Sequence, residues 1–170
     1  MLRIATLALF LVVSPVRAGT PLETPDVEAL KAFRLTSDNV RKAAAVTHRL
    51  AIEAAKDPAF ARFLAKKREQ GESLEDQAKA LERDARVATA LRAESIGARE
   101  YVMVQIAAVQ GNLLAAVRAR GVKLEGSDVR DALNPANLDF VETHRKEMDE
   151  LGRSQHELQK VSEAALGEEK

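Results

Sequence analysis

Cysteine is absent from all 170 residues of the chain. That absence excludes disulfides, a thiol nucleophile, a thiolate metal site and the covalent attachment of a c-type haem. It also removes the residue that carries the lipid of a bacterial lipoprotein. Net charge is missing too, because 26 basic residues face 26 acidic ones. A balanced chain has no field strong enough to recruit nucleic acid or anionic lipid from a distance. No window alternates apolar and polar residues as a half-buried strand would. There is no His-Glu-x-x-His pattern, and no serine sits in a glycine-flanked elbow. An enzyme is therefore not expected, and no cofactor motif is present. Thirty alanines with only five prolines fit the usage of a GC-rich bacterium.

What is present begins at the N-terminus. Met1-Leu2-Arg3 is a short positive start, Ile4 to Val13 carries no charge, and Ser14-Pro15 breaks that run. Val16-Arg17-Ala18 then places small or β-branched residues three and one positions before Gly19. This is the layout of a secretory signal peptide over 1–18, and the run is shorter than the roughly 20 residues a membrane span needs. Export to the bacterial periplasm or the medium is the expectation. Cleavage after Ala18 leaves 152 residues with 24 basic and 26 acidic side chains, a net charge of −2. That length makes one ordinary domain with a core of its own.

Residues 19–35, with Pro21 and Pro25, read as an extended leader in which Val27, Leu30 and Phe33 allow one helical turn. An all-helical domain is expected over 36–166, followed by a frayed tail at 167–170. Its first helix runs from Ser37 to Lys56 behind a Thr36 or Ser37 cap. Asp57-Pro58 restarts the chain as a helix to about residue 70. Ser73 opens a third helix, and a break near Arg83-Asp84 opens a short fourth one around Val87, Ala88 and Leu91. Between Tyr101 and Val117 no residue is charged, and apolar side chains surround the axis. A helix apolar on nearly all sides belongs inside a bundle, so residues 98–120 are placed at the centre. Gly121 closes this helix. After a polar connection over 122–133, Asn134-Pro135 starts one last long helix. Val141, His144, Met148, Leu151, Gln155 and Leu158 form its packing seam, and Gly152 bends or weakens it. Lys66-Lys67-Arg68 closes the second helix as a solvated cationic end.

Three groups of residues are candidates for chemistry. His144 lies at the centre of the last helix's apolar arc, between Phe140 and Met148, and is expected to be largely withdrawn from water. With His48 or Met103 it would make an axial ligand pair for a haem or metal held in a bundle. The plainer reading is a core histidine bonded to a carbonyl, a tyrosine or a glutamine. On the central helix Tyr101, Gln105 and Asn112 share a stripe with Ala108 and Ala115. That stripe either lines a groove for a peptide or small ligand, or meets neighbours that satisfy its polar groups.

Three segments carry a resemblance across most of the chain. Leu35-Thr36-Ser37-Asp38-Asn39-Val40, Arg99-Glu100-Tyr101-Val102 and Asn134-Pro135-Ala136-Asn137-Leu138-Asp139-Phe140 together look like a group of small exported bacterial all-helical proteins without an assigned activity. The chain also resembles periplasmic stress chaperones of the Spy/CpxP type, whose LTxxQ signature has glutamine where Asn39 stands here. Both resemblances imply an exported helical protein, and the second also implies freedom from cofactors and polypeptide clients. The expected fold is a single all-α bundle of five to six helices around the central apolar helix. The expected function is a non-enzymatic protein-binding or chaperone-like module. On this reading Val109→Asp and Leu114→Asp both unfold the domain, a loss that a thermal melt would register, because each buries an unpaired carboxylate.

Overall fold

The computed structural model describes residues 24–68, 73–121 and 134–167. The expected signal peptide, the start of the leader, the connection over 122–133, residues 168–170 and the side chains of Lys66, Lys67 and Arg68 lie outside what is described. The described residues form eight helices and no strand, so the chain is all-α. The helices are α1 (Thr24–Ala32), α2 (Ser37–Lys56), α3 (Pro58–Arg68), α4 (Leu74–Glu82), α5 (Ala85–Ala93), α6 (Ala98–Ala119), α7 (Pro135–Thr143) and α8 (Arg145–Gly167).

Side-chain caps set most of the boundaries. At the start of α2 the Thr36 hydroxyl accepts the Asn39 N–H at 3.2 Å, while Asn39 Oδ1 accepts the Thr36 N–H at 2.9 Å. Two orphan amides are satisfied by one reciprocal pair. Ser73, Asp84 and Asn134 cap α4, α5 and α7, and Pro135 follows Asn134 inside the first turn. Asp57 receives the Ala59 and Phe60 amides at the head of α3. Arg86 joins two of these caps. Its guanidinium donates to Asp57 Oδ2 at 2.7 Å and to Asp84 Oδ2 at 3.1 Å, and lies 3.8 Å over the Phe60 ring. One cation thus ties the α2–α3 corner to the α4–α5 corner. The hydrogen bond from Arg86 is the main reason both carboxyls sit below the usual aspartate value of 3.8.

The packing axis is α2. It touches α3, α5, α6 and α8, and its run along α8 is the most extensive helix pair. Buried Ala43, Ala44, Ala51 and Ala54 let neighbours approach closely, while Val40, Val46 and Leu50 fill the space between. Facing them, α8 buries Met148, Leu151, Ser154, Leu158, Ser162 and Ala165 at spacings of three and four. Burying a side chain of valine or leucine size contributes about 1.5–3 kcal/mol, so the α2–α8 seam anchors the core.

Four expectations change. First, eight helices stand among the described residues instead of five to six. Second, α6 is where it was read, but it is not wrapped on all sides. It touches α2, α4, α5 and α7, which bury Val104, Ala107 and Leu114 yet leave Val109 51% exposed. A chargeless surface is compatible with burial without requiring it, and these neighbours cover only part of the circumference. Only Leu114→Asp keeps its unfolding effect, at a position 2% exposed.

Third, the last helix divides at His144 (φ −108°, ψ 48°), giving α7 and α8, while Gly152 lies inside α8 without a break. Fourth, the leader is helical from Thr24 to Ala32 instead of extended. Leu30 of α1 is buried against Leu74 and Val102, and Asp26 Oδ2 accepts the Leu74 N–H at 2.9 Å. The link from α1 to α2 is held by two asparagines. Asn137, with 0% exposure, accepts the Leu35 N–H at 2.8 Å and donates to the Phe33 carbonyl at 3.0 Å. Asn39 Nδ2 donates to the Arg34 carbonyl at 3.0 Å.

Helix α6 meets α7 at Gly111, where a Cβ would stand 2.8 Å from Val141 Cγ2. Overpacking of that kind costs about 1–3 kcal/mol, which exceeds the ~1 kcal/mol of helix propensity that alanine would add. Gly111→Ala therefore lowers the melting temperature, and the same change in a Val141→Ala background is neutral or stabilising. The Arg86 clamp generates an acid dependence. A carboxyl with a depressed folded pKa stabilises above its unfolded value and loses that contribution as pH falls through the folded one. Stability should hold down to about pH 4 and decline below it, and Arg86→Gln should flatten that acid limb in denaturant titrations across pH.

Candidate functional site

The stripe on α6 that sequence singled out turns inward over part of its length. Thr47, 1% exposed on the inner face of α2, is the hub. Its hydroxyl donates to the Ala43 carbonyl at 2.8 Å, which uses its one hydrogen. Tyr101 Oη at 2.9 Å and Gln105 Nε2 at 3.0 Å must then both donate to Thr47 Oγ1, filling its two lone pairs. Gln105 Oε1 in turn accepts from Gln155 Nε2 of α8. The result is a one-directional chain from Gln155 through Gln105 and Thr47 to a backbone carbonyl, with Tyr101 joining at the hub. It bridges α2, α6 and α8 across the core.

Each position follows from local structure. Thr47 falls on the buried face of α2, where the four-residue spacing brings its hydroxyl to the Ala43 carbonyl. Tyr101 and Gln105 lie one helical turn apart on α6 and point to α2, as does buried Ala108 between α6 and the core. Asn112, on the same stripe, is exposed and joins nothing in the relay. Of the three polar residues on that stripe, Tyr101 and Gln105 meet protein at Thr47, whereas Asn112 faces solvent. Gln155 was read only as a packing residue, and Thr47 was not singled out. A hydroxyl amid alanines on α2 was the one available signal for the hub. Chemically the relay is neutral and internally satisfied, so it fixes helix register and offers no proton acceptor to a substrate.

The candidate ligand set does not assemble. His144 is half-buried at the α7–α8 break, with its ring stacked on Phe140 at a centroid distance of 4.1 Å and 7° between planes. Its Nδ1 lies 2.9 Å from Thr143 Oγ1 and 3.3 Å from the Phe140 carbonyl. Thr143 gives its own hydrogen to the Asp139 carbonyl at 2.7 Å, so Nδ1 carries the ring proton. The expected core position is replaced by a C-cap position because the helix ends there. His48 is exposed on α2 and pairs with Glu157 of α8 at 3.0 Å. Glu157 is twelve residues beyond Arg145, roughly 18 Å along α8 at 1.5 Å per residue, so His48 and His144 are far apart. Met103 is half-buried in the α1–α4–α6 cluster with Leu30, Leu74 and Val102. Among the described residues no three His, Asp or Glu side chains converge as a metal site.

Two surface features remain. A shallow depression between the heads of α2 and α8 is lined by Arg41, Lys146, Glu147 and Glu150, whose charges cancel. Glu147 sits below the usual carboxylate range because its own backbone N–H, then the Ser37 hydroxyl at 3.1 Å, stabilise the charged form. The second is the outer side of α6. Val109 is exposed there, and Ile106, Leu113 and Ala116 are partly exposed around it.

No protein-family model, no curated protein and no solved structure matches this chain.

The relay can be tested directly. Thr47→Val keeps the shape of the side chain but removes the acceptor that Tyr101 Oη and Gln105 Nε2 share. The loss should be about 1–3 kcal/mol in urea unfolding. Combined with Tyr101→Phe, it should cost less than the two single changes together, since both act on one network.

Proposed function

We propose that this chain is an exported, non-enzymatic polypeptide-binding protein of chaperone-like character. The observation that carries the reading is the open side of α6. Val109 stands half exposed beside partly exposed Ile106, Leu113 and Ala116, on a helix without a charge from Tyr101 to Val117. A neutral apolar strip bordered by charged helices is the kind of surface on which an unfolded segment gains burial. Tyr101 and Gln105 beside it are committed to Thr47 and Gln155, which leaves the strip itself as the contact surface. Export is supported by the signal-like layout of residues 1–18. Polypeptide clients are supported by the resemblance to periplasmic stress chaperones.

The purified chain should slow the light scattering of reduced insulin at near-stoichiometric ratio. Val109→Asp should reduce that protection while leaving helix content and melting temperature close to wild type, because the position is already in water. A wild-type chain without effect on insulin aggregation would overturn the reading.

A further inference from the structure

We infer that α1 occupies, in cis, one end of a docking strip on α6, and that the strip's exchangeable occupant is an amphipathic helix bearing an aspartate four residues before a leucine. The inference rests on the polypeptide-binding reading and names the class of segment bound. At about 100° per residue, Val102, Ile106, Val109, Leu113 and Ala116 fall within an arc of roughly 80° on α6. They form one continuous apolar row. Its two ends differ in cover. Val102 is buried in a cluster with Leu30 of α1 and Leu74 of α4, whereas Val109 and Leu113 continue the row into solvent.

The cover is held lightly. From Asp26 to Ala32, α1 buries only Asp26 and Leu30, and its small cluster with Leu74 and Val102 joins the main core only through half-buried Leu81. The restraint comes after the helix, where Asn137 and Asn39 hold the backbone from Phe33 to Leu35. Those bonds fix the cap of α2 whether or not α1 is docked. Helix α1 can therefore leave as a unit, giving up the Phe33 N–H bonds to the Ala29 and Leu30 carbonyls, and its departure uncovers Leu74 and Val102 next to Met103 and Ile106. The way α1 sits states what the strip recognises. Asp26 places a carboxylate on the first amide of α4, where negative charge is favoured. One turn later on the same face, Leu30 enters the apolar cluster. A carboxylate and a leucine one turn apart on a helix are the matching chemistry.

The test uses the full chain and a fluorescein-labelled peptide of residues 24–36, followed by anisotropy, with far-UV circular dichroism to confirm folding. Leu30→Asp releases the cis helix, so this variant should bind the peptide at least tenfold more tightly than wild type. Peptides carrying Asp26→Asn or Leu30→Asp should lose that binding. An added Ile106→Asp in the receptor, at a partly exposed position, should abolish it without changing helix content. Equal binding to wild type and variant, or none to a folded variant, would overturn the proposal. So would a wild-type dimer that dissociates on Leu30→Asp without peptide binding, which would give the strip to a second copy. If the variant fails to fold, hydrogen exchange in wild type decides: α1 amides should exchange at least 100-fold faster than those of α2, and equal protection sinks the idea. Failure here with insulin protection intact removes this site alone. Loss of both removes the polypeptide-binding reading as well.

Discussion

The close approach of α8 to α2 is the constraint on which the rest of the molecule depends. Alanines at 43, 44, 51 and 54 are buried on α2, Ser154, Ser162 and Ala165 on α8, and small side chains on both helices allow the backbones to come near. Interiors are packed like solids, so that approach fixes where every other helix can lie. It brings Gln155 within reach of Gln105 and places Thr47 under Tyr101. The buried Thr47 hydroxyl and the half-buried amides of Gln105 and Gln155 then read out the register. A shifted α8 would break the Gln155–Gln105 hydrogen bond.

Around that axis the corners are held by side chains reaching across sequence. Arg86 clamps two caps, and Asn137 holds a linker 102 residues away through the Leu35 amide. These ties are unevenly distributed. The heads of α2, α3 and α5 are doubly restrained, whereas α1 is attached by one leucine and one aspartate. Local opening free energies vary in the same way, and loosely packed elements open first. The most weakly held helix lies beside the most exposed apolar side chains. That coincidence, more than any reactive group, connects the architecture with binding.

Much of this was legible before folding. Thr36 or Ser37, Ser73, the break near Arg83-Asp84 and Asn134-Pro135 marked helix starts because a cap is a local bargain between a side chain and amides two or three residues away. The break at His144 was missed because apolar spacing continued through it. Periodicity reports which positions are apolar, and the same spacing serves α7 against α6 and α8 against α2. Val109 was misplaced for a related reason: the absence of charge records what a surface tolerates, and burial depends on which neighbours arrive. Tyr101 and Gln105 stood out as polar groups on an apolar rod, yet their partners are 54 and 58 residues distant. No spacing rule reaches that far.

Sequence alone determined the all-helical class, most helix boundaries and the absence of thiol chemistry, since composition, caps and period act within a turn or two of chain. Tertiary structure decided the rest. It chose α2 over α6 as the axis, turned half of an apparent groove into a sealed relay, and laid α1 over one end of an apolar row. Those outcomes depend on which surfaces fit at van der Waals distance once several helices compete for the same space, and that competition is settled only when all of them are present.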